Sequence, residues 1–264
     1  MFSEYTYRME PGRHMELIYP GISNQTEEVK RYVQTDFSEV EKLLYSLKMK
    51  DGSKQWKDEL NMDSFVNYYI LMEFLSVNDT FTASTYFYRD ARGKISIGPV
   101  WDYNNVLDNF FNPMPEREFI LSQRGWFAML MQDEEFVEAV IRRYRQLREG
   151  TLSEEHLLSY VRKVEEWLGS AVDRNYQVWG YSFDPSQVTR GERKEPVPGQ
   201  AGTGGSMNTP NDETDMQESA RGLNPSNYEE AVEWMTDYMV NRGRWMDWNI
   251  ESLRQYCHPS RKGS

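Results

Sequence analysis

The sequence predicts a mainly helical α+β domain with a single central β-hairpin. Three observations lead there. Apolar residues recur three and four apart over long stretches, as in Val29, Val33, Phe37, Val40, Leu44 and Leu47. The two best strand candidates, Thr85–Arg89 and Lys94–Trp101, are rich in aromatic and β-branched residues. Between these two lies Asp90-Ala-Arg-Gly93, with Asp first and Gly last, which suits a type I turn.

In chain order, Tyr5-Thr-Tyr-Arg-Met9 alternates weakly and reads as an edge strand, followed by loops at Pro11, Gly12, Pro20 and Gly21. Thr26, Glu27 and Glu28 open the first helix, and Asp51-Gly52 closes it. Asp63 is placed to cap a helix from Ser64 to about Ser76. In it Phe65, Val66, Tyr69, Ile70, Met72, Phe74 and Leu75 occupy most faces, the mark of a buried helix. The hairpin comes next, with paired residues expected to sum to about 183, so that Asp102 falls across from the neighbourhood of Phe81. Residues 109–124 hold two prolines and no period, and read as a loop.

Trp126–Met131 reads as a short apolar helix. Phe136, Val140, Tyr144 and Leu147 form a stripe closed by Gly150. Thr151 with Glu154 makes a capping box for a helix carrying Leu157, Val161, Val164, Leu168 and Val172. The chain from Ser182 to Gly222 is rich in Gly, Pro, Ser, Thr and Asn and is expected to be a flexible insertion. Ser226 with Glu229 makes a second capping box, opening a long helix through Trp234, Tyr238, Trp245, Trp248 and Leu253 whose tryptophans are expected in the core. Residues 1–181 and 223–264 are thus expected to form one domain interrupted by 182–222.

Composition restricts function. A formal net charge of −12 over 264 residues argues against nucleic acid or an anionic membrane surface as the main partner. A protein this acidic that handles phosphates needs a local device, such as a metal ion, to bring them close. Cys257 has no second cysteine to pair with. No run of about 18 apolar residues is present to span a membrane, and Met1–Glu10 lacks the apolar core of a signal peptide. His14, His156 and His258 are scattered without zinc spacing, and the Arg142–Arg148 run reads as a solvated helix face.

The chemistry-bearing residues are Asp79 and Asp102, at the two open ends of the hairpin. On spacing alone, they suit turn and cap positions equally well. Two carboxylates brought together repel unless a cation lies between them or one holds a proton, and the cation is the more economical explanation. Protein kinases share this layout: a catalytic Asp, a metal-binding residue five positions on, a hairpin, then a second metal-binding Asp. Here the order is Asp79, Ser84, the hairpin and Asp102, without His-Arg before Asp79 or Phe-Gly after Asp102.

Phe65-Val-Asn-Tyr-Tyr-Ile-Leu-Met-Glu-Phe-Leu-Ser-Val-Asn-Asp, Ser84-Thr-Tyr-Phe-Tyr-Arg-Asp and Gly98-Pro-Val-Trp-Asp-Tyr together resemble the CotH kinase family, the spore coat protein H group. Gly125-Trp-Phe, Asp133-Glu-Glu-Phe, Arg142-Arg-Tyr-Arg-Gln-Leu-Arg and Arg242-Gly-Arg-Trp-Met-Asp are similar to the helices that follow that family's Trp-Asp motif. The resemblance implies the large lobe of an atypical protein kinase that uses ATP with Mg or Mn to phosphorylate protein substrates. Asp79 would then be the catalytic Asp, and Asp102, Asn104 and Ser84 the metal-binding residues.

The chain departs from the family at Asn104, where a second Asp is usual, and at Ser84, where classical kinases carry Asn. An amide ligates through oxygen but brings no charge, so metal affinity is expected to fall. The family's amino-terminal lobe, with its phosphate-contacting Lys, is expected upstream of Tyr5, so this fragment is expected to be incomplete or degenerate as an enzyme. The residues that hold the nucleotide are not assigned. The resemblance also implies an exported protein at a bacterial cell surface or spore. The alternative function is a non-catalytic scaffold among coat or surface proteins.

Overall fold

The computed structural model describes residues 15–45, 55–77, 80–81, 83–107, 117–179, 225 and 227–257. It is mainly helical, with one two-stranded antiparallel sheet among the described residues. The helices are α1 (Glu27–Tyr45), α2 (Trp56–Glu59), α3 (Met62–Leu75), α4 (Phe127–Leu130), α5 (Glu134–Arg148), α6 (Glu154–Leu168), α7 (Ala171–Trp179), α8 (Tyr228–Asn249) and α9 (Arg254–Cys257). The strands are β1 (Phe87–Arg89) and β2 (Ile95–Ile97). The expected edge strand at Tyr5–Met9, the Asp51-Gly52 stop and the insertion 182–222 lie outside the described residues.

Helix α3 is the hub, as its apolar residues on most faces predict. Phe65, Tyr69, Ile70, Met72 and Phe74 are each at most 1 % exposed. It packs against α5 on one side, β2 on another and α8 on a third. Strand β2 is buried along its whole length and docks on the start of α3 through polar contacts. Asn61 N–H donates to Ile95 C=O at 2.8 Å, its side-chain amide donates to Ser96 Oγ at 3.1 Å, and Ile97 N–H donates to Ser64 Oγ at 3.3 Å. Strand β1 is held from outside by Arg89, whose guanidinium lies 2.6 Å from Glu59 and 3.0 Å from Asp36 of α1.

Several boundaries differ from expectation, mostly because a neighbouring residue makes the better cap. Asn61, not Asp63, caps α3, accepting from Ser64 N–H; its backbone is already extended by pairing with Ile95, and Asp63 falls in the first turn. Ser153, not Thr151, caps α6, because residues 150–153 are used in closing α5, with Leu152 N–H bonded to Leu147 C=O and Ser153 N–H to Gly150 C=O. Gly169, at φ +44°, ends α6, so Val172 belongs to a separate helix. Asn227 caps α8 by accepting from Glu230 N–H; Ser226 lies outside the described residues. Of the tryptophans of α8 only Trp245 packs against the core, partly buried. Trp248 is 89 % exposed, whereas Tyr238, Met239, Arg242 and Met246 are buried.

The hairpin pairs Phe87 with Ile97, Tyr88 with Ser96 and Arg89 with Ile95, one residue off the expected register. The turn is not type I: Arg92 has φ +59°, although Gly93 N–H still bonds to Asp90 C=O at 2.8 Å. Pairing ends sooner than expected, with Gly98 N–H on Tyr86 C=O as the last bond. Pro99 has no N–H to continue the ladder.

A fully buried ion pair ties α8 to α3. Arg242 Nη2 lies 3.0 Å from Glu73 Oε2, both side chains 0 % exposed. Glu73 also accepts from the backbone N–H groups of Ile120 (3.0 Å) and Leu121 (2.6 Å). Burial pushes the Glu73 carboxyl from 4.5 up to about 7, outweighing the opposite pull of Arg242 and the two N–H groups; burial likewise lowers Arg242. Because the folded value lies above the unfolded one, the stability contributed by Glu73 is fully present below pH 4.5. It is lost as pH rises through about 7. Urea-unfolding midpoints of the wild type, relative to Glu73→Gln, should therefore fall between pH 5 and 8. Parallel curves would show that Glu73 does not titrate in that window.

Candidate functional site

The hairpin's open ends carry the predicted residues. Ser84 precedes β1 and Asp102 follows β2, and the Ser84 hydroxyl donates to Asp102 Oδ2 at 3.2 Å. These two residues are 18 apart in sequence. Asp102 sits at φ +67° as the residue before a short 3-10 turn, Tyr103–Asn105. Asn104, on that turn, is exposed. Asp79 lies outside the described residues, so its expected closeness to Asp102 is not part of the described geometry.

The flanking aromatics do not bury the site: Asp102 and Trp101 are both exposed, Trp101 to 62 %. The reason is the backbone after β2: Gly98 at φ +127° and Pro99 turn the chain off the sheet, and Val100 and Trp101 then run outside the core. Only Tyr103 turns back, its hydroxyl donating to Met72 Sδ at 3.6 Å while burial raises its phenol.

The flanks of this face are built with unusual backbone. Ser76, Phe81, Ser84, Asp102 and Leu107 all have positive φ without being glycine, a conformation costing about 1–2 kcal/mol each that persists only where surrounding contacts enforce it. Those contacts are visible. Phe81 N–H donates to Thr85 Oγ1 at 2.9 Å, and its ring stacks edge-on to Phe127 at 5.5 Å. Leu107 N–H donates to Leu75 C=O at 3.0 Å, joining the turn after Asp102 to the end of α3. Sequence reasoning missed this set; the local signal is confined to Ser76, Ser84 and Asp102 at element boundaries, and Phe81 and Leu107 carry none.

Among the described residues no group of three or more His, Cys, Asp and Glu side chains gathers to hold a metal. The donors that do meet are oxygens, the Asp102 carboxylate and the Ser84 hydroxyl, with Asn104 on the adjoining turn. An all-oxygen set with one or two carboxylates suits a hard cation such as Mg²⁺ that retains waters or phosphate oxygens in its shell. His156 is exposed. The Arg142–Arg148 run is less solvated than expected. Arg143 donates to Asn67 at 2.9 Å, Arg145 pairs with Glu251, and Arg148 pairs with Asp247 at 2.8 Å. No helix among the described residues is long and apolar enough to cross a membrane.

Comparison with known proteins agrees with the motifs around the hairpin. The family described as CotH kinase protein matches residues 4–246, which takes in α1 through most of α8 and both ends of the hairpin. No curated protein and no solved structure matches the chain. With most of its length matched, the chain belongs to the CotH kinase protein family.

Proposed function

We propose that this chain carries the large lobe of an atypical kinase, working in metal-dependent transfer of phosphate from ATP to protein substrates. The observation that carries the reading is the Ser84–Asp102 contact at the open end of the hairpin, in a chain of this family. Asp102 would hold the metal with Ser84 and Asn104, and Asp79 would orient the acceptor hydroxyl or take its proton. Bound Mg²⁺ or Mn²⁺ would neutralise phosphate charge, which is what a chain of net charge −12 requires to bring ATP close. The Ser84 hydroxyl, donating to Oδ2, restricts how the Asp102 carboxylate can rotate and leaves Oδ1 for the cation. The exposure of Asp102 and Trp101 suits a face that receives a ligand rather than one that fills a core.

The competing reading is a non-catalytic scaffold among spore-coat or cell-surface proteins. It is favoured by the donor set itself, in which Asp102 is the one carboxylate beside a hydroxyl and an amide. Thermal unfolding with Mg-ATP or Mn-ATP separates the two. Saturating ligand should raise the wild-type midpoint by roughly 5 °C at a hundredfold excess over Kd, and Asp102→Ala should show no rise. Identical, unshifted curves for the two proteins would remove the nucleotide-binding reading and leave the scaffold.

A further inference from the structure

We propose that Tyr238 is a positioning residue for the phosphotransfer site, acting through Ser76 to hold the end of α3 from which both site loops are hung. The inference deepens the kinase reading and rests on it for its catalytic consequence.

Helix α3 ends in a tight closing turn. Val77 N–H bonds back to Met72 C=O at 2.9 Å and Ser76 N–H to Glu73 C=O at 3.3 Å, with Ser76 left-handed at φ +54°. Glycine is the ordinary residue at such a position because it has no Cβ to crowd the carbonyl. Serine here is 0 % exposed, and its hydroxyl has a specific use: it accepts from the Tyr238 hydroxyl at 2.8 Å. Tyr238 lies on α8, 162 residues away in sequence and itself 4 % exposed. One turn further along α8, Arg242 Nε donates to Glu73 C=O at 2.9 Å and Nη1 to Glu118 C=O at 2.7 Å. The last carbonyls and the closing residue of α3 are therefore gripped from one face of α8.

Both loops depart from this grip. Leu75 C=O receives Leu107 N–H, which fixes the turn that begins at Asp102. Val77 and Thr80 bracket the pair 78–79 on the chain, and Thr80, 2 % exposed, donates to Val77 C=O at 3.4 Å. A shift of the Ser76 turn would move the covalent anchors of Asp79 and the hydrogen-bonded anchor of the Asp102 turn together. Misplacement by about 1 Å far from the chemistry is enough to lower transfer rates without touching the ligand.

The test uses Tyr238→Phe, which deletes one oxygen and keeps the ring, and Ser76→Gly, which relaxes the left-handed strain while removing the same bond. Amide exchange in both variants should rise about fivefold over residues 76–81 and 102–107, the loss of one buried hydrogen bond, with 62–72 unchanged. Transfer of phosphate from Mg-ATP to casein should fall roughly tenfold in kcat, with KM for ATP within about twofold. A general loosening, with exchange rising equally along α3, would reduce Tyr238 to a packing residue and overturn the inference. So would unchanged exchange at 76–81. Localised exchange in a wild-type protein that transfers no phosphate would support the joint and sink the kinase reading, so the two failures are distinct.

Discussion

Arg242→Met should destabilise the fold by about 3–5 kcal/mol, the cost typical of breaking a buried ion pair from one side. The substitution keeps an apolar stem of similar length but removes the hydrogen bonds to Glu73 Oε2, to Glu73 C=O and to Glu118 C=O. It also removes the cation from the face of Trp245, whose ring centre lies 4.9 Å from the guanidinium carbon. What remains is a carboxyl at 0 % exposure answered by two backbone N–H groups and the Tyr69 hydroxyl, with no cation beside it. Urea unfolding at pH 8 measures the loss, and a change below about 1 kcal/mol would mean the pair is not held as described. The cost should be smaller at pH 5, where Glu73, with its value raised to about 7, is neutral in the folded protein. Glu73→Gln in the same chain should recover part of the loss at pH 8. Glu73→Leu should not, because Ile120 and Leu121 N–H would lose their acceptor.

Gly125→Ala should be costly for a different reason, by about 3 kcal/mol. Gly125 has φ +50°, which an L-residue adopts at a cost of about 1 kcal/mol or more. An added Cβ would also lie 2.6 Å from Phe81 Cγ and within 2.9 Å of both Cδ atoms. The base of a ring cannot swing aside as the end of a flexible chain can. This ring is further held by Phe127 at 5.5 Å and Phe87 at 6.0 Å, so overpacking adds about 1–3 kcal/mol. The check is a double-mutant cycle with Phe81→Ala, which removes Cγ and both Cδ atoms. The pair should be more stable than the sum of the singles by at least about 1 kcal/mol, since the steric part vanishes and the backbone part does not. Additive effects would place the whole cost in the backbone. Because Phe81 stands between Asp79 and Ser84, Gly125→Ala should also blunt the Mg-ATP thermal shift.

The hairpin illustrates how far local pattern reaches. The register counted outward from the turn put Asp102 across from the neighbourhood of Phe81 rather than on Ser84, and an error of one residue in that count still left the two loops at the same end. The exposure of Asp102 was not legible. It depends on Gly98 and Pro99 leading the chain off the sheet, and on which neighbours then cover Trp101. The caps show a similar limit. Asn61, Ser153 and Asn227 each stand one or two residues from the predicted cap, because Asn, Ser, Thr and Asp cap almost equally well. Tertiary hydrogen bonds, such as that of Asn61 to Ile95, then decide among them.

The sequence by itself determined a mainly helical chain built on an all-round apolar helix, one hairpin, and the motif residues that place it among CotH kinases. Each of these depends on neighbours within a few positions, through helical spacing, strand alternation or turn chemistry. Only the tertiary structure decided that Glu73 finds Arg242, that Ser76 finds Tyr238, and that Gly125 lies under Phe81. Those pairings join residues up to 169 apart, and no local propensity encodes them. They are selected because a buried charge, a left-handed serine and a crowded glycine are each tolerable only beside one particular partner.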